Sequence, residues 1–396
     1  MESIELEVAI DCLLAHENFQ IPTKSIPLTE ALHQRLVSDC YAPMPVPSFN
    51  RSAMDGYAIK ASQTRGATKE NPIKLPVLTE VVAGQAPTSR IETKGAVRIM
   101  TGAMIPDGFD SVIRQEDTDY GEDTVEIYKP IKPGTNYSKV GEDIQKGQLL
   151  IKKNTVLTPI HLGILASLGI QWVEVVCPLK VGIISTGSEL APLGKPLMPG
   201  QIYDSNSYVL AARLQELQVD VVFMKHVSDD ILTASALIKQ GIDEVDILIT
   251  TGGVSVGKKD IMHEVMKHLN AKRIFWRVKM RPGTPVLASL YRDKIILSLS
   301  GNPFAALTTF ELLFRPLLGA QASYQRKVAT LQDDFPKSSP QRRFVRGYYT
   351  EGHVFLPTNS HASSVLSSML DCNCLIDIPA KSPGLKSGQQ VDVILL

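Results

Sequence analysis

Between Val245 and Asp260 the chain reads VDILITTGGVSVGKKD, an apolar run that ends in Thr250, Thr251, Gly252 and Gly253 before Ser255 and Gly257. Hydroxyl side chains and glycines set between a strand and a helix turn backbone N–H groups and a helix N-terminus toward an anion. Thr251, Gly252, Gly253 and Ser255 are therefore candidate ligands of a phosphate or a similar group, with a plain tight turn as the alternative. Two more turns have the same make-up, TGSEL (Thr186, Gly187, Glu189) and SGNP (Gly301, Asn302, Pro303). If all three follow parallel strands, they open onto one crevice at the carboxyl ends of a sheet.

A second kind of evidence lies in FWRVKMRPGTP. Arg277, Lys279 and Arg281 alternate with Val278 and Met280, so an extended strand would put the three cations on one face. A solvated sheet edge is one reading, and an oxyanion site beside the glycine turns is the other. Carboxylates sit near the turns at Asp55, Asp143, Glu189, Asp204, Asp229 and Asp260. One or two of them would suffice for Mg2+, which takes its remaining ligands from phosphate and water. Gly252, Gly257 and Lys258 also fit a P-loop spacing, but Lys259 stands where a Ser or Thr must ligate the metal. A P-loop-like phosphotransferase is thus a distant alternative.

The elements that must hold these residues follow from pattern. Around the turns, KVGIIS, VDVVFMK, the run before Thr250, VLASL and IILSLS read as strands. They alternate with helical segments marked by Leu210, Leu214 and Leu217, by Met262, Met266 and Leu269, and by Ala306, Phe310 and Leu313. Asp260 and Asn302-Pro303 are expected helix starts. This is a three-layer α/β domain with a mostly parallel sheet, over 179–322. Short strands cut by Gly and Pro mark two small β-rich domains, at 47–142 and 323–396. Residues 1–46 and 143–178 read as a small helical or linker domain into which the 47–142 segment is inserted. Its helical stripes are Ile4, Val8 and Cys12, then Leu28, Leu32 and Leu36, with Thr158-Pro159 opening a further helix closed by Gly169.

At 396 residues the chain exceeds one ordinary core, and multiple domains are expected. Lys+Arg and Asp+Glu are both 41, so no bulk charge draws it to nucleic acid or membrane. Five scattered cysteines without a C-x-x-C pair argue against a zinc site or a disulfide framework. The acidic start and the lack of a spanning apolar run give a cytoplasmic expectation.

Taken together, PSFNRSAMDGYA, RIMTGAMIPDGFDSVIRQE, GEDIQKG, STGSEL, GQIYDSN, TTGGVSVGKKD, FWRVKMRPGTP and SGNPFAAL resemble the molybdopterin molybdenumtransferases, the family of bacterial MoeA and the gephyrin E domain. The resemblance runs over nearly the whole chain. It implies an elongated four-domain homodimer that inserts molybdenum from molybdate into adenylylated molybdopterin, with Mg2+, releasing AMP. The α/β segment would be the molybdopterin-binding domain, and a molybdopterin adenylyltransferase is a possible partner. Position by position, the resemblance makes Asp55, Thr101, Asp143, Glu189, Asp229, Asp260, Arg277 and Arg281 the catalytic set, with Asp229 and Asp260 as Mg2+ ligands. Substrate binding falls to Thr186, Gly187, Thr251, Gly252, Gly253, Ser255, Lys279, Pro282, Gly301, Asn302, Pro303 and Ser363. Arg277 and Arg281 stand where the family often carries lysine, which keeps the charge and changes the geometry. A binding scaffold that keeps the fold without the transferase activity is the other reading this family allows.

Overall fold

The computed structural model describes residues 3–16, 22–87, 91–254, 261–319, 324–357 and 362–396. By contacts the chain divides into Pro22–Cys177 and a second unit made of the N-terminal segment with Pro178–Leu396.

The second unit holds the glycine turns. Helix α1 (Leu6–Leu14) precedes a six-stranded sheet made of β1 (Lys180–Thr186), β2 (Asp220–Val227), β3 (Ile247–Thr251), β4 (Lys272–Trp276), β5 (Leu287–Tyr291) and β6 (Lys294–Leu299). Strand order is β2-β1-β3-β6-β5-β4, parallel from β2 to β6 and antiparallel at the β5 and β4 edge. Between the strands lie α2 (Asn206–Glu216), α3 (Ile231–Gly241) and α4 (Met262–His268), and α5 (Pro303–Thr309) follows β6. Alternate residues of the strands feed two cores. Val181, Ile183, Ile247, Ile249 and Leu297 pack with Leu210 and Leu214 of α2 and Phe304 of α5. Ile184, Leu248 and Ile296 pack with Ile238 of α3 and Val265 of α4 on the other face. These are the three layers expected of a parallel sheet buried on both sides.

The N-terminal helix differs from expectation. It buries Leu6, Ala9 and Leu13 against the α/β core, while Val8 is exposed. A nine-residue helix is marginal alone, and two buried leucines at roughly 1.5–3 kcal/mol each are what hold it there. Leu28, Leu32 and Leu36 do not form a helix. Thr23–Pro27 is a strand, Leu28–Glu30 a single 3-10 turn, and His33 takes φ +64.

C-terminal to α5, the strands β7 (Arg326–Leu331), β8 (Arg342–Thr350), β9 (His353–Phe355), β10 (Cys374–Ile378) and β11 (Gln390–Leu395) pair in a ring, because β8 contacts both β9 and β10. Closure removes the sheet's edges. Leu331, Val345, Ile376 and Val393 fill the interior.

The unit Pro22–Cys177 carries a five-stranded sheet in the order Ser111–Arg114, Gly56–Ile59, Ala96–Ile99, Ile73–Val81, Thr124–Ile127. Val46 bridges Ile144 where the 47–142 segment leaves and rejoins. Outside that segment the unit holds less helix than expected. It has paired strands Thr23–Pro27 and Trp172–Val176, and one α-helix, Pro159–Ser167, among its described residues. Thr158 caps that helix, its hydroxyl oxygen accepting from the His161 N–H, and Gly169 closes it at φ +74.

Candidate functional site

Strands β1, β3 and β6 end side by side, with Ser185 opposite Thr251 and Thr251 opposite Leu299. Their turns are therefore stacked neighbours. The Gly252 N–H donates to the Leu299 carbonyl at 3.0 Å, and the Gly187 N–H to Val227 at 3.2 Å. Gly252 and Gly253 have φ of +97 and +61, and a Cβ on Gly252 would lie 2.4 Å from the Thr186 carbonyl oxygen. Only glycine allows that approach.

Helix α2 locks the turns together. The Asn206 amide donates to Thr251 Oγ1 at 2.9 Å and to the Gly301 carbonyl at 3.0 Å, and Thr251 Oγ1 donates to the Ser300 carbonyl at 3.2 Å. Asp204 accepts from the Ser207 N–H and hydroxyl at 3.1 and 2.6 Å, which satisfies the first turn of α2. Asp229 is tied to the β1 turn in both directions: its Oδ2 accepts from the Ser188 N–H at 3.2 Å, and its own N–H donates to Ser188 Oγ at 3.3 Å.

The result is a cavity of about 570 Å3. Thr186, Gly187, Thr251, Gly252, Gly253, Gly301, Asn302 and Pro303 line it together with the carboxylates Glu189, Asp204 and Asp229. Thr186 is buried, and its hydroxyl has no hydrogen-bond partner among the described residues. No Lys or Arg lines the cavity among the described residues. A phosphate lying here meets N–H groups, hydroxyls and three carboxylates, so it needs a cation to offset them. Among the described residues no three carboxylate, imidazole or thiol groups gather to hold a metal; Mg2+ would need only one or two of these carboxylates, with phosphate and water completing its shell.

The C-terminal barrel supplies the last predicted residue. Asn302 Nδ2 donates to Ser363 Oγ at 3.0 Å, and the Phe304 N–H to the Ser363 carbonyl at 3.2 Å. The segment bearing Ser363 is held by the fully buried Arg346, which donates to the carbonyls of Ala362 at 2.6 Å and Val365 at 2.9 Å. The guanidinium lies 4.1 Å from the centroid of the Phe304 ring.

The cation strand is a correction. Strand β4 stops at Trp276, and Arg277 takes φ +70, which breaks the alternation that would align three side chains. Arg277 stacks on Trp276 at 4.5 Å. Lys279 pairs with Glu5 at 2.9 Å. Met280–Arg281 joins the C-terminal sheet beside Arg342–Arg343, and Arg281 is exposed there. None of Arg277, Lys279, Arg281 and Pro282 is among the residues that line the cavity. Ser255, Lys258 and Asp260 lie outside the described residues, and with them the P-loop spacing and the Asp260 cap.

Asp55, Thr101 and Asp143 belong to the other unit. Asp55 Oδ1 accepts from the Thr101 N–H at 2.6 Å and from its hydroxyl at 2.7 Å. Those bonds, the backbone one foremost, hold the Asp55 carboxyl below its ordinary range. The Asp143 N–H donates to the Val46 carbonyl at 3.1 Å. A depressed carboxylate pKa means the tie is present above the unfolded value and lost as pH falls through the folded one. Thr101→Val removes the hydroxyl bond and keeps the backbone one, so it should raise the Asp55 pKa part of the way toward the ordinary value in an NMR carboxyl titration; an unmoved pKa would show that the hydroxyl bond does not contribute.

Comparison with known proteins matches the chain to a family. Three family models tile the chain: the MoeA N-terminal region (domain I and II) over residues 4–169, the probable molybdopterin binding domain over 182–320, and the MoeA C-terminal region (domain IV) over 328–396. A molybdopterin molybdenumtransferase of Bacillus subtilis (strain 168) is 36% identical over 395 residues, 97% of this chain and 92% of its own. The chain belongs to the molybdopterin molybdenumtransferase family. The Staphylococcus aureus (strain COL) member is 34% identical over 96% of this chain and 93% of its own. A solved structure of the family, the molybdopterin biosynthesis MoeA protein of Pyrococcus horikoshii, superposes with a TM-score of 0.88 at 32% identity, over 100% of this chain and 99% of that one.

Within the family's molybdopterin binding domain, the sequence reading missed Asn206, which pins two of the three turns. GQIYDSN was legible as a family motif, but no spacing rule ties position 206 to 251 and 301. Asn206→Ala should cost about 1–3 kcal/mol, because it leaves the buried Thr251 hydroxyl oxygen and the part-buried Gly301 carbonyl short of a donor. A urea midpoint unchanged from wild type would show that the turns hold without it.

Proposed function

We propose that this chain inserts molybdenum from molybdate into adenylylated molybdopterin, with Mg2+, and releases AMP. The observation that carries the reading is the cavity where three glycine and hydroxyl turns meet an acidic rim at the ends of β1, β3 and β6. Family membership narrows its anionic ligand to a molybdopterin phosphate. N–H groups of Gly253 and Gly301 and the hydroxyl of Thr186 would seat phosphate oxygens, while Gly252 and Thr251, bonded to Leu299, Ser300 and Asn206, hold the turns in place. Asp229, with Asp260, would hold Mg2+, which when bound neutralises phosphate charge and polarises a phosphoryl oxygen. Glu189 and Asp204 stand at the cavity to accept and return protons as molybdate oxygens leave as water. Molybdate and the pterin sulfurs form the metal–sulfur bonds, and water adds across the phosphoanhydride whose cleavage frees AMP, so the protein's part is positioning and charge compensation. Asp55, Thr101, Asp143, Arg277 and Arg281 are proposed as further site residues of a homodimer.

A molybdopterin adenylyltransferase that hands over the adenylylated pterin is the partner this function calls for. No helix of the described residues is long and apolar enough to cross a membrane. The proposal is tested by complementing a strain that lacks its own molybdenumtransferase and measuring a molybdoenzyme activity. Wild type should restore it, while Asp229→Ala and Asp55→Ala should not. Full restoration by both variants would favour a scaffold over a transferase.

A further inference from the structure

One peptide group at the cavity is held at both ends from the edge of the sheet. The carbonyl of Gly187 and the N–H of Ser188 belong to the same planar unit, so fixing both fixes its tilt. His226, at the end of β2, has Nε2 2.8 Å from the Gly187 carbonyl oxygen. A carbonyl only accepts, so Nε2 carries the proton and donates. The Leu190 N–H donates to the same oxygen at 3.2 Å and takes its second lone pair. At the other end the Ser188 N–H donates to Asp229 Oδ2 at 3.2 Å.

This peptide decides where the Glu189 carboxylate stands. A Cβ on the buried Gly187 would lie 2.7 Å from Glu189 Oε1 and 3.0 Å from its Cδ. The carboxylate therefore folds back onto the Gly187 α-carbon, at the cavity wall that both residues line. Beyond it the Glu189 carbonyl accepts from the Ile202 N–H at 3.0 Å, which ties down the far side of the turn. The two ends of the peptide clamp differ in what else they do. Asp229 lines the cavity and is the proposed Mg2+ ligand, so its bond to Ser188 shares a carboxylate with the metal. His226 does not line that cavity; it is exposed on the neighbouring face, beside Lys225, Asp204 and Tyr208. Its donor holds the carbonyl without competing for phosphate or metal.

We propose that His226 is a positioning residue: its Nε2–H keeps the 187–188 peptide, and through it the Glu189 carboxylate, in place while Asp229 engages the metal. The role rests on the proposed function, in which Glu189 accepts and returns protons.

Two substitutions separate positioning from a merely structural part. His226→Gln keeps an N–H donor near the place of Nε2, and His226→Phe keeps the ring and removes the donor; melting curves check that each variant is folded. AMP release from adenylylated molybdopterin, with molybdate and Mg2+, gives kcat and KM. The Ser188 amide in proton–nitrogen NMR spectra reports the peptide itself, with no substrate present. His226→Phe should lower kcat by about five- to tenfold, the scale of one lost hydrogen bond, and displace the Ser188 resonance. KM should stay within about twofold of wild type, because the lost contact serves the reacting state and not uniform binding. His226→Gln should recover most of kcat and return the Ser188 resonance toward its wild-type place. A Phe variant with wild-type kcat, a Gln variant no better than Phe, or an unmoved Ser188 amide in the Phe variant overturns the proposal. Wild type that releases no AMP removes the proposed function instead, and the Ser188 amide alone then decides whether His226 holds the peptide.

Discussion

Arg346→Met should destabilise the protein by about 1.5–3 kcal/mol, the range for losing hydrogen bonds made by a charged group. The guanidinium is fully buried, donates to two carbonyls of the 362–365 segment and lies over the Phe304 ring. Methionine keeps much of the volume, so the loss comes from the stranded carbonyls and the stacking and not from a cavity. The effect reaches the site because the same segment presents Ser363 to Asn302. We therefore expect a lower denaturant midpoint together with a raised KM for the pterin substrate. A midpoint within about 1 kcal/mol of wild type would show that the segment is held by other contacts.

Gly252→Ala is expected to act on function more than on the core. The residue sits at φ +97, and an added Cβ would come within 2.4 Å of the Thr186 carbonyl and 2.8 Å of its hydroxyl oxygen. Backbone in that region costs a non-glycine residue on the order of 1–3 kcal/mol even in open space. Here the clash is with backbone, so the turn after β3 must withdraw from the turn after β1. A displacement of about 1 Å in a positioning site can cost on the order of a hundredfold in rate. Gly252→Ala should thus lose about a hundredfold or more in kcat/KM while the melting transition stays cooperative. Near-wild-type turnover would mean that this turn does not hold the reacting group.

The three turns were legible because their signals are local. A strand that runs into glycine and hydroxyl residues is read within six or seven positions, and three such turns at the ends of β1, β3 and β6 do share one cavity. The Thr158-Pro159 start and the Gly169 stop of one helix were equally local. What failed depended on distance along the chain. Leu28, Leu32 and Leu36 have helical spacing, but Thr23–Pro27 pairs with Trp172–Val176 and draws the segment into a strand and a turn. Of the stripe at Ile4, Val8 and Cys12, Ile4 and Cys12 pack half-buried against the α/β core and Val8 faces out, while Leu6, Ala9 and Leu13 lie deepest. The cation alternation at 277–281 assumed a continuous strand, whereas Arg277 bends away at positive φ to stack on Trp276. Asn206 and Arg346 gave no local signal, since each acts on partners brought close only by the fold.

The most direct measurement is AMP release by purified protein incubated with adenylylated molybdopterin, molybdate and Mg2+. The account predicts release that requires molybdate and Mg2+ and falls sharply in Asp229→Ala. Well-folded protein that releases no AMP, or releases it equally with the Asp229 carboxylate removed, would contradict it.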